Sequence, residues 1–136
     1  MPLLQVNNLS VEFSTRKGTL YAVNGVSFSL ERNSTLCIVG ESGSGKSVTA
    51  TSLLRLLDKN AKITTGEMLF TTDGKTVDLL ALTERNMRKI RGNRISMIFQ
   101  EPMIAFSPMY TIGNQINEAT RLHITKDKKK SKEISL

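Results

Sequence analysis

Gly40-Glu41-Ser42-Gly43-Ser44-Gly45-Lys46-Ser47 matches the pattern Gly, four residues, Gly-Lys-Ser, which describes a loop built to hold phosphates. With glycine near 7% of average usage, four such fixed positions meet by chance in a chain of this length on the order of once in 200 cases. The neighbouring residues strengthen the reading. Thr35-Leu36-Cys37-Ile38-Val39, apolar on both faces and β-rich, suits a strand buried in a parallel sheet and runs straight into Gly40. After the loop, Ala50, Leu53, Leu54 and Leu57 recur at helical spacing, so a helix is expected from about Lys46. The order strand, glycine-rich loop, helix is what a phosphate cradle requires. Backbone N–H groups turn inward, the positive end of the helix faces the anion, and glycine permits the dihedrals and the close approach. Lys46 is expected to reach the β- and γ-phosphates and the Ser47 hydroxyl to ligate Mg²⁺.

On the N-terminal side, Leu9, Val11 and Phe13 alternate with polar residues, as do Val26, Phe28 and Leu30. Two half-buried antiparallel strands follow from that period, with a turn over Thr15-Arg16-Lys17-Gly18-Thr19. On the C-terminal side, Glu67-Met68-Leu69-Phe70 and Thr76-Val77-Asp78-Leu79 flank Asp73-Gly74, a strong hairpin signal. Thr83 is expected to cap a short basic helix running through Arg91 and ending at Gly92. Ile95-Ser96-Met97-Ile98-Phe99 reads as another strand, stopping at Gln100-Glu101-Pro102, and Thr111 as the cap of a helix with Ile112, Ile116, Ala119 and Leu122 on one face. The expected fold class is therefore α/β: an antiparallel β piece with a partial parallel P-loop core.

The chain has 136 residues, 39% hydrophobic and 23% charged, which is room for one ordinary core. Apolar runs reach four residues, as in Leu36–Val39 and Met103–Phe106, far below the roughly 18 needed to cross a bilayer. The N-terminus lacks the basic start and apolar stretch of a secretory signal, so a cytoplasmic location is expected. The single cysteine, Cys37, lies in an apolar run and is read as a small buried hydrophobe. Nineteen Lys and Arg against twelve Asp and Glu give a net charge of +7, compatible with nucleic acid, an anionic membrane surface or phosphate ligands. Five lysines and two acids fall between Lys126 and Glu133, so residues 126–136 are expected to be a solvated, mobile tail. Two Tyr and no Trp make a poor stacking platform for single strands, and nucleic acid is not the expected partner.

A phosphate loop alone fits a transporter ATPase, a GTPase, a small kinase or a helicase. Gln100, at the end of a strand-like run, carries a carboxamide able to accept from water and donate to a metal-bound oxygen. Gly40–Ala50, Met87-Arg88-Lys89-Ile90-Arg91-Gly92 and Ile95–Met103 together resemble the ATP-binding subunit of bacterial ABC importers for oligopeptides and dipeptides, with a likeness that runs from Leu4 to about His123. The resemblance implies that Gly40 to Ser47 are the Walker A loop holding ATP. It also implies that Gln100 is the Q-loop residue, at the Mg²⁺ and the attacking water and facing the membrane subunits. Members of that family stack adenine on an aromatic residue ahead of the Walker A strand, and Tyr21 is the nearest candidate here. The implied partners are two permease subunits and a second ATPase, with the peptide handled indirectly, and the implied place is peripheral, on the inner face of the cell membrane.

The family pattern also includes four apolar residues ending in Asp followed by a catalytic Glu, a Leu-Ser-Gly-Gly-Gln signature loop, and a switch histidine. None of these occurs in the 136 residues: Thr76-Val77-Asp78 belongs to the hairpin, no two glycines are adjacent, and His123 falls too early and reads as an ordinary helix-end residue. The expectation is accordingly an N-terminal part of a nucleotide-binding domain over residues 1–125, arising from a premature stop or frameshift, with nucleotide binding but negligible hydrolysis of its own. The alternatives are a nonfunctional or interaction-only remnant of such a subunit and, from another class, a small nucleic-acid binder using the lysine tail.

Overall fold

The computed structural model describes residues 1–101 and 106–135. Pro102 and Met103, which end the second motif of the resemblance, and Leu136 lie outside the described residues. The chain divides into two units, residues 1–87 and 88–136.

The first unit is built on a four-stranded antiparallel sheet of β1 (Leu4–Thr15), β2 (Gly18–Leu30), β3 (Ala61–Thr72) and β4 (Lys75–Asp78), in the order β2-β1-β3-β4. Both expected hairpins are present. β1 and β2 turn between Thr15 and Gly18, where the Thr15 hydroxyl donates to the Gly18 carbonyl at 2.6 Å and accepts from the Lys17 N–H at 3.2 Å. β3 and β4 turn at Asp73-Gly74, whose φ values of 50° and 73° both lie in the left-handed region demanded by a tight two-residue turn.

The alternation of β1 changes phase midway. Leu4 and Val6 are buried on even positions, Leu9 and Val11 on odd ones. Between them the pairing to β2 and β3 slips, and Asn8 takes φ 49°. This bulge keeps four apolar side chains on the core face of one long strand. Its broken ladder is patched by side chains: the Asn8 N–H donates to the Ser27 hydroxyl at 2.8 Å, the Gly25 N–H to the Ser10 hydroxyl at 3.0 Å, and the Thr65 hydroxyl to the Asn8 carbonyl at 3.1 Å. Gly66, at φ 120°, lets β3 pass close by, since a Cβ there would lie 2.8 Å from the Leu9 Cα. Val23, Leu54, Met68, Phe70, Leu79 and Met87 complete the core of this unit.

Helix α1 (Lys46–Leu53) follows the glycine-rich loop, as its spacing predicts, but stops after eight residues. Arg55 adopts φ 52°, its N–H donates to the Ser52 carbonyl at 2.9 Å, and the Leu56 N–H reaches the Thr51 carbonyl at 3.0 Å. That paired reverse bonding ends the helix and leaves Leu57 outside it, while Leu54 is buried.

Two segments expected as parallel core strands enter no ladder among the described residues: Thr35–Val39 in the first unit and Ile95–Phe99 in the second. A parallel strand gains its ladder from neighbours delivered by crossover connections; among the described residues Thr35–Val39 has no such neighbour, and Ile95–Phe99 has only the isolated parallel bridge of Ile95 with Arg91. Val39 is 87% exposed and Ile98 92%. Cys37, read as buried, is exposed for the same reason.

Helix α2 (Glu84–Ile90) carries Thr83 at its start, whose hydroxyl accepts from the Asn86 N–H at 3.4 Å, and the division between the units falls within it. It ends one residue before Arg91, and Gly92 follows at φ 76°. The second unit continues with α3 (Ile112–His123), capped by Thr111 as expected, and α4 (Lys128–Ile134). The lysine-rich end, read from sequence as a mobile tail, is thus helical from Lys128. Asp127 caps it by accepting from the N–H groups of Lys129 and Lys130, at 2.8 and 3.4 Å. A polar seam joins it to α3: the Ser131 hydroxyl donates to the Asn117 carbonyl at 3.1 Å, and the hydroxyls of Thr120 and Ser135 lie 3.0 Å apart. The apolar face of α3 remains outside, with Ile112, Ile116 and Leu122 exposed. Among the described residues no helix is long and apolar enough to cross a membrane.

Candidate functional site

The loop from Gly40 to Ser47 gathers its eight residues in the first unit, at the start of α1. Gly43 and Gly45 have φ values of 80° and 89°, in the left-handed region that glycine enters freely and that anion-binding nests of successive amides use. Gly45 is also a packing requirement: a Cβ there would collide with the Ala22 carbonyl oxygen of β2. A side chain at Gly40 would meet the Ser44 hydroxyl. The Ser44 N–H donates to the Glu41 carbonyl at 3.2 Å, closing the loop on itself.

The first turn of α1 carries no side-chain cap and no acidic residue. Ordinary helices satisfy their leading N–H groups with a Ser, Thr, Asp or Asn side chain. Here the capping position is Gly45, so an external anion can take that role. Thr49 is engaged inside the helix instead, both its N–H and its hydroxyl donating to the Gly45 carbonyl at 2.8 and 2.9 Å. The Lys46 ammonium folds back over the loop, donating to the Gly40 and Glu41 carbonyls at 2.7 and 2.6 Å and to the Ser44 hydroxyl at 3.3 Å.

Beside the loop lies a groove of about 290 Å³ lined by Phe13, Leu20 and Ala22 from the sheet and by Gly43 to Val48. The register explains which side chains reach it. Phe13 is paired with Leu20, and directly paired residues share a face of the sheet, whereas Tyr21 is paired with Glu12 on the other face. Tyr21 is 66% exposed and does not line the groove. The aromatic ring next to the loop belongs to Phe13, which sequence reasoning passed over. The signal was the hairpin itself: counting outward from the Thr15–Gly18 turn pairs Phe13 with Leu20.

Gln100 is placed in the second unit, exposed and outside any strand. Of the two groups read as facing Mg²⁺, only Ser47 belongs to the loop. No group of three or more His, Cys, Asp or Glu able to hold a metal occurs among the described residues. An isolated serine oxygen at a phosphate loop does fit Mg²⁺, which prefers phosphate and water oxygens to an all-protein cage.

The ABC transporter family model matches residues 23–135. A dipeptide transport ATP-binding protein of Bacillus subtilis is 50% identical over 128 residues, covering 93% of this chain and 37% of its own length. One of Lactococcus lactis is 52% identical over 121 residues, covering 89% and 34%, and a probable peptide ABC transporter ATP-binding protein of Sinorhizobium fredii is 50% identical over 122 residues, covering 89% and 35%. The chain therefore spans little more than a third of the length of these relatives. Among solved structures, an ATP-binding cassette in a dimeric post-hydrolysis state bound to ADP and Pi superposes with a TM-score of 0.78 at 20% identity, over 97% of this chain and 53% of that one. That likeness concerns the fold, and it holds although two expected core strands are unpaired here. With the family model matching residues 23–135, the phosphate loop among them, the chain belongs to the ABC transporter family.

Proposed function

We propose that the Gly40–Ser47 loop binds ATP, and that the chain is the nucleotide-gripping part of the energising subunit of a peptide importer. The observation that carries this reading is the uncapped start of α1 behind two left-handed glycines, with a lysine folded over it. Phosphate oxygens take the free amides, and the Lys46 ammonium exchanges two backbone carbonyls for charged oxygens, a stronger class of hydrogen bond. Phe13 offers the adenine a ring face from the groove wall. Ser47 would hold Mg²⁺ together with the phosphates, and the ion would neutralise their charge there.

The relatives' names support peptide as the class of solute, and the dimer in the structural neighbour supports a second ATPase as partner. Permease subunits, and a place on the inner face of the membrane, follow from the same reading. Gln100 belongs to the reading as the residue that would face the Mg²⁺ and the attacking water. The experiment is calorimetry of the 136-residue chain with ATP and Mg²⁺. A saturable heat, weakened on the order of 10- to 100-fold in affinity by Lys46→Ala, is expected. A folded, soluble chain giving no heat would instead favour the interaction-only remnant.

A further inference from the structure

The second unit holds ten Lys and Arg against four Asp and Glu, while the first holds nine against eight, so six of the seven net positive charges sit in residues 88–136. Part of that charge lines a groove of about 530 Å³ formed by Arg88, Lys89, Arg91, Asn93, Leu122 and His123. No carboxylate is among these residues. Two guanidinium groups, an ammonium, a carboxamide and an imidazole make a wall dominated by donors, and such a wall selects an anion with several acceptor oxygens.

The turn after α2 shapes the groove. The Ile90 carbonyl accepts from the N–H groups of Asn93, Arg94 and Ile95, at 3.2, 2.8 and 3.1 Å, and the Gly92 N–H donates to the Ile95 carbonyl at 2.9 Å. Gly92 at φ 76° admits the imidazole: a Cβ there would lie 2.9 Å from the His123 Nε2. The close approach of His123 to this turn gives the groove a fixed wall. Cations at the ends of α2 and α3 also complement the negative helix C-termini, which accounts for their place on the helices but not for a concavity without carboxylates.

We propose that this groove is a second anion site, separate from the Walker A loop, taking a phosphate group. The phosphate is carried either by a free phosphoanion or by the headgroup of an anionic lipid. Arg88 and Arg91 have further interactions of their own, so Lys89, Asn93 and His123 are the groups on which the test bears. A long nucleic-acid backbone is a poorer match, since the site is a short concavity rather than an open stripe, and the chain has no Trp and two Tyr to stack bases.

His123 is the sole histidine, so its imidazole resonances report the groove directly. Pyrophosphate is titrated into Lys46→Ala protein, in which the Walker A loop is crippled, and again into the unsubstituted chain. The expected result in both is a saturable shift of the His123 signals, weakened about tenfold by Lys89→Glu and restored by Lys89→Arg. Pelleting with phosphatidylglycerol vesicles but not phosphatidylcholine vesicles, competed by pyrophosphate, identifies the lipid source; pyrophosphate binding without pelleting identifies the free anion. The proposal is overturned if pyrophosphate leaves the His123 signals in place, if Lys89→Glu leaves the shift unaltered, or if duplex DNA alone moves them. Because the Lys46→Ala protein carries the first series, failure here leaves the ATP reading standing, and failure of the ATP reading leaves this series intact.

Discussion

The two proposed anion sites differ in how they would hold their ligand. Residues 1–87 have a net charge near zero and would grip with backbone: glycine dihedrals, the uncapped start of α1 and one lysine. Residues 88–136 carry most of the net positive charge and present side chains around a turn. Backbone donors are fixed in direction and are disturbed mainly by steric change. Exposed side-chain cations are adaptable and are weakened by salt and by loss of charge. A substitution that matters in one unit should therefore be of a different kind from one that matters in the other.

The largest effect is expected from Gly45→Ala. A left-handed alanine costs about 1–3 kcal/mol in strain, and its Cβ would also strike the Ala22 carbonyl. Urea denaturation should show the loss, and ATP binding should vanish with it; an unaltered midpoint would mean that the loop is not held by β2. Next, Lys46→Ala removes charged hydrogen bonds worth about 1.5–3 kcal/mol, so ATP affinity should fall on the order of 10- to 100-fold with the midpoint unchanged. Third, Phe13→Ala should weaken ATP roughly tenfold, as loss of one base-stacking ring does, while Tyr21→Ala should leave affinity within about twofold because its ring is on the other face of the sheet. Equal losses from both would place the adenine elsewhere. Smallest and confined to the second unit, Asp127→Ala should cost about 1 kcal/mol of α4 helicity by loss of its cap, read as faster amide exchange at Lys129 and Lys130 with nucleotide affinity unaffected.

Local chemistry made much of the molecule readable in advance. Asp73-Gly74 specifies its hairpin because two adjacent left-handed residues leave few other geometries, and Thr111 and the Gly40–Ser47 loop are similarly self-contained. What depended on distant partners was harder to read. The bulge at Asn8 is supported by Ser27, Gly25 and Thr65 from two other strands, so the phase change along β1 is invisible in its own alternation. Nearness in the chain singles out Tyr21 as the aromatic ahead of the loop, whereas the face of the sheet on which a ring lies is a matter of register. Thr35–Val39 has the composition of a core strand, but composition cannot supply the neighbours that would pair with it. The lysine end carried a helix signal that its charge concealed: Asp127 at the cap, then Ser131 and Ser135 one turn apart, meeting Asn117 and Thr120 on α3.

The central claim is that backbone amides at the start of α1 hold a triphosphate. It is tested most directly by following the amide resonances of Gly43, Gly45, Lys46 and Ser47 in a ¹⁵N-labelled chain as ATP and Mg²⁺ are added. Saturable shifts centred on those four residues, reproduced by pyrophosphate and moved to on the order of 10- to 100-fold higher nucleotide concentration by Lys46→Ala, are the predicted result. Shifts confined to other parts of the chain, or four loop amides that stay where they were at saturating nucleotide, would contradict it.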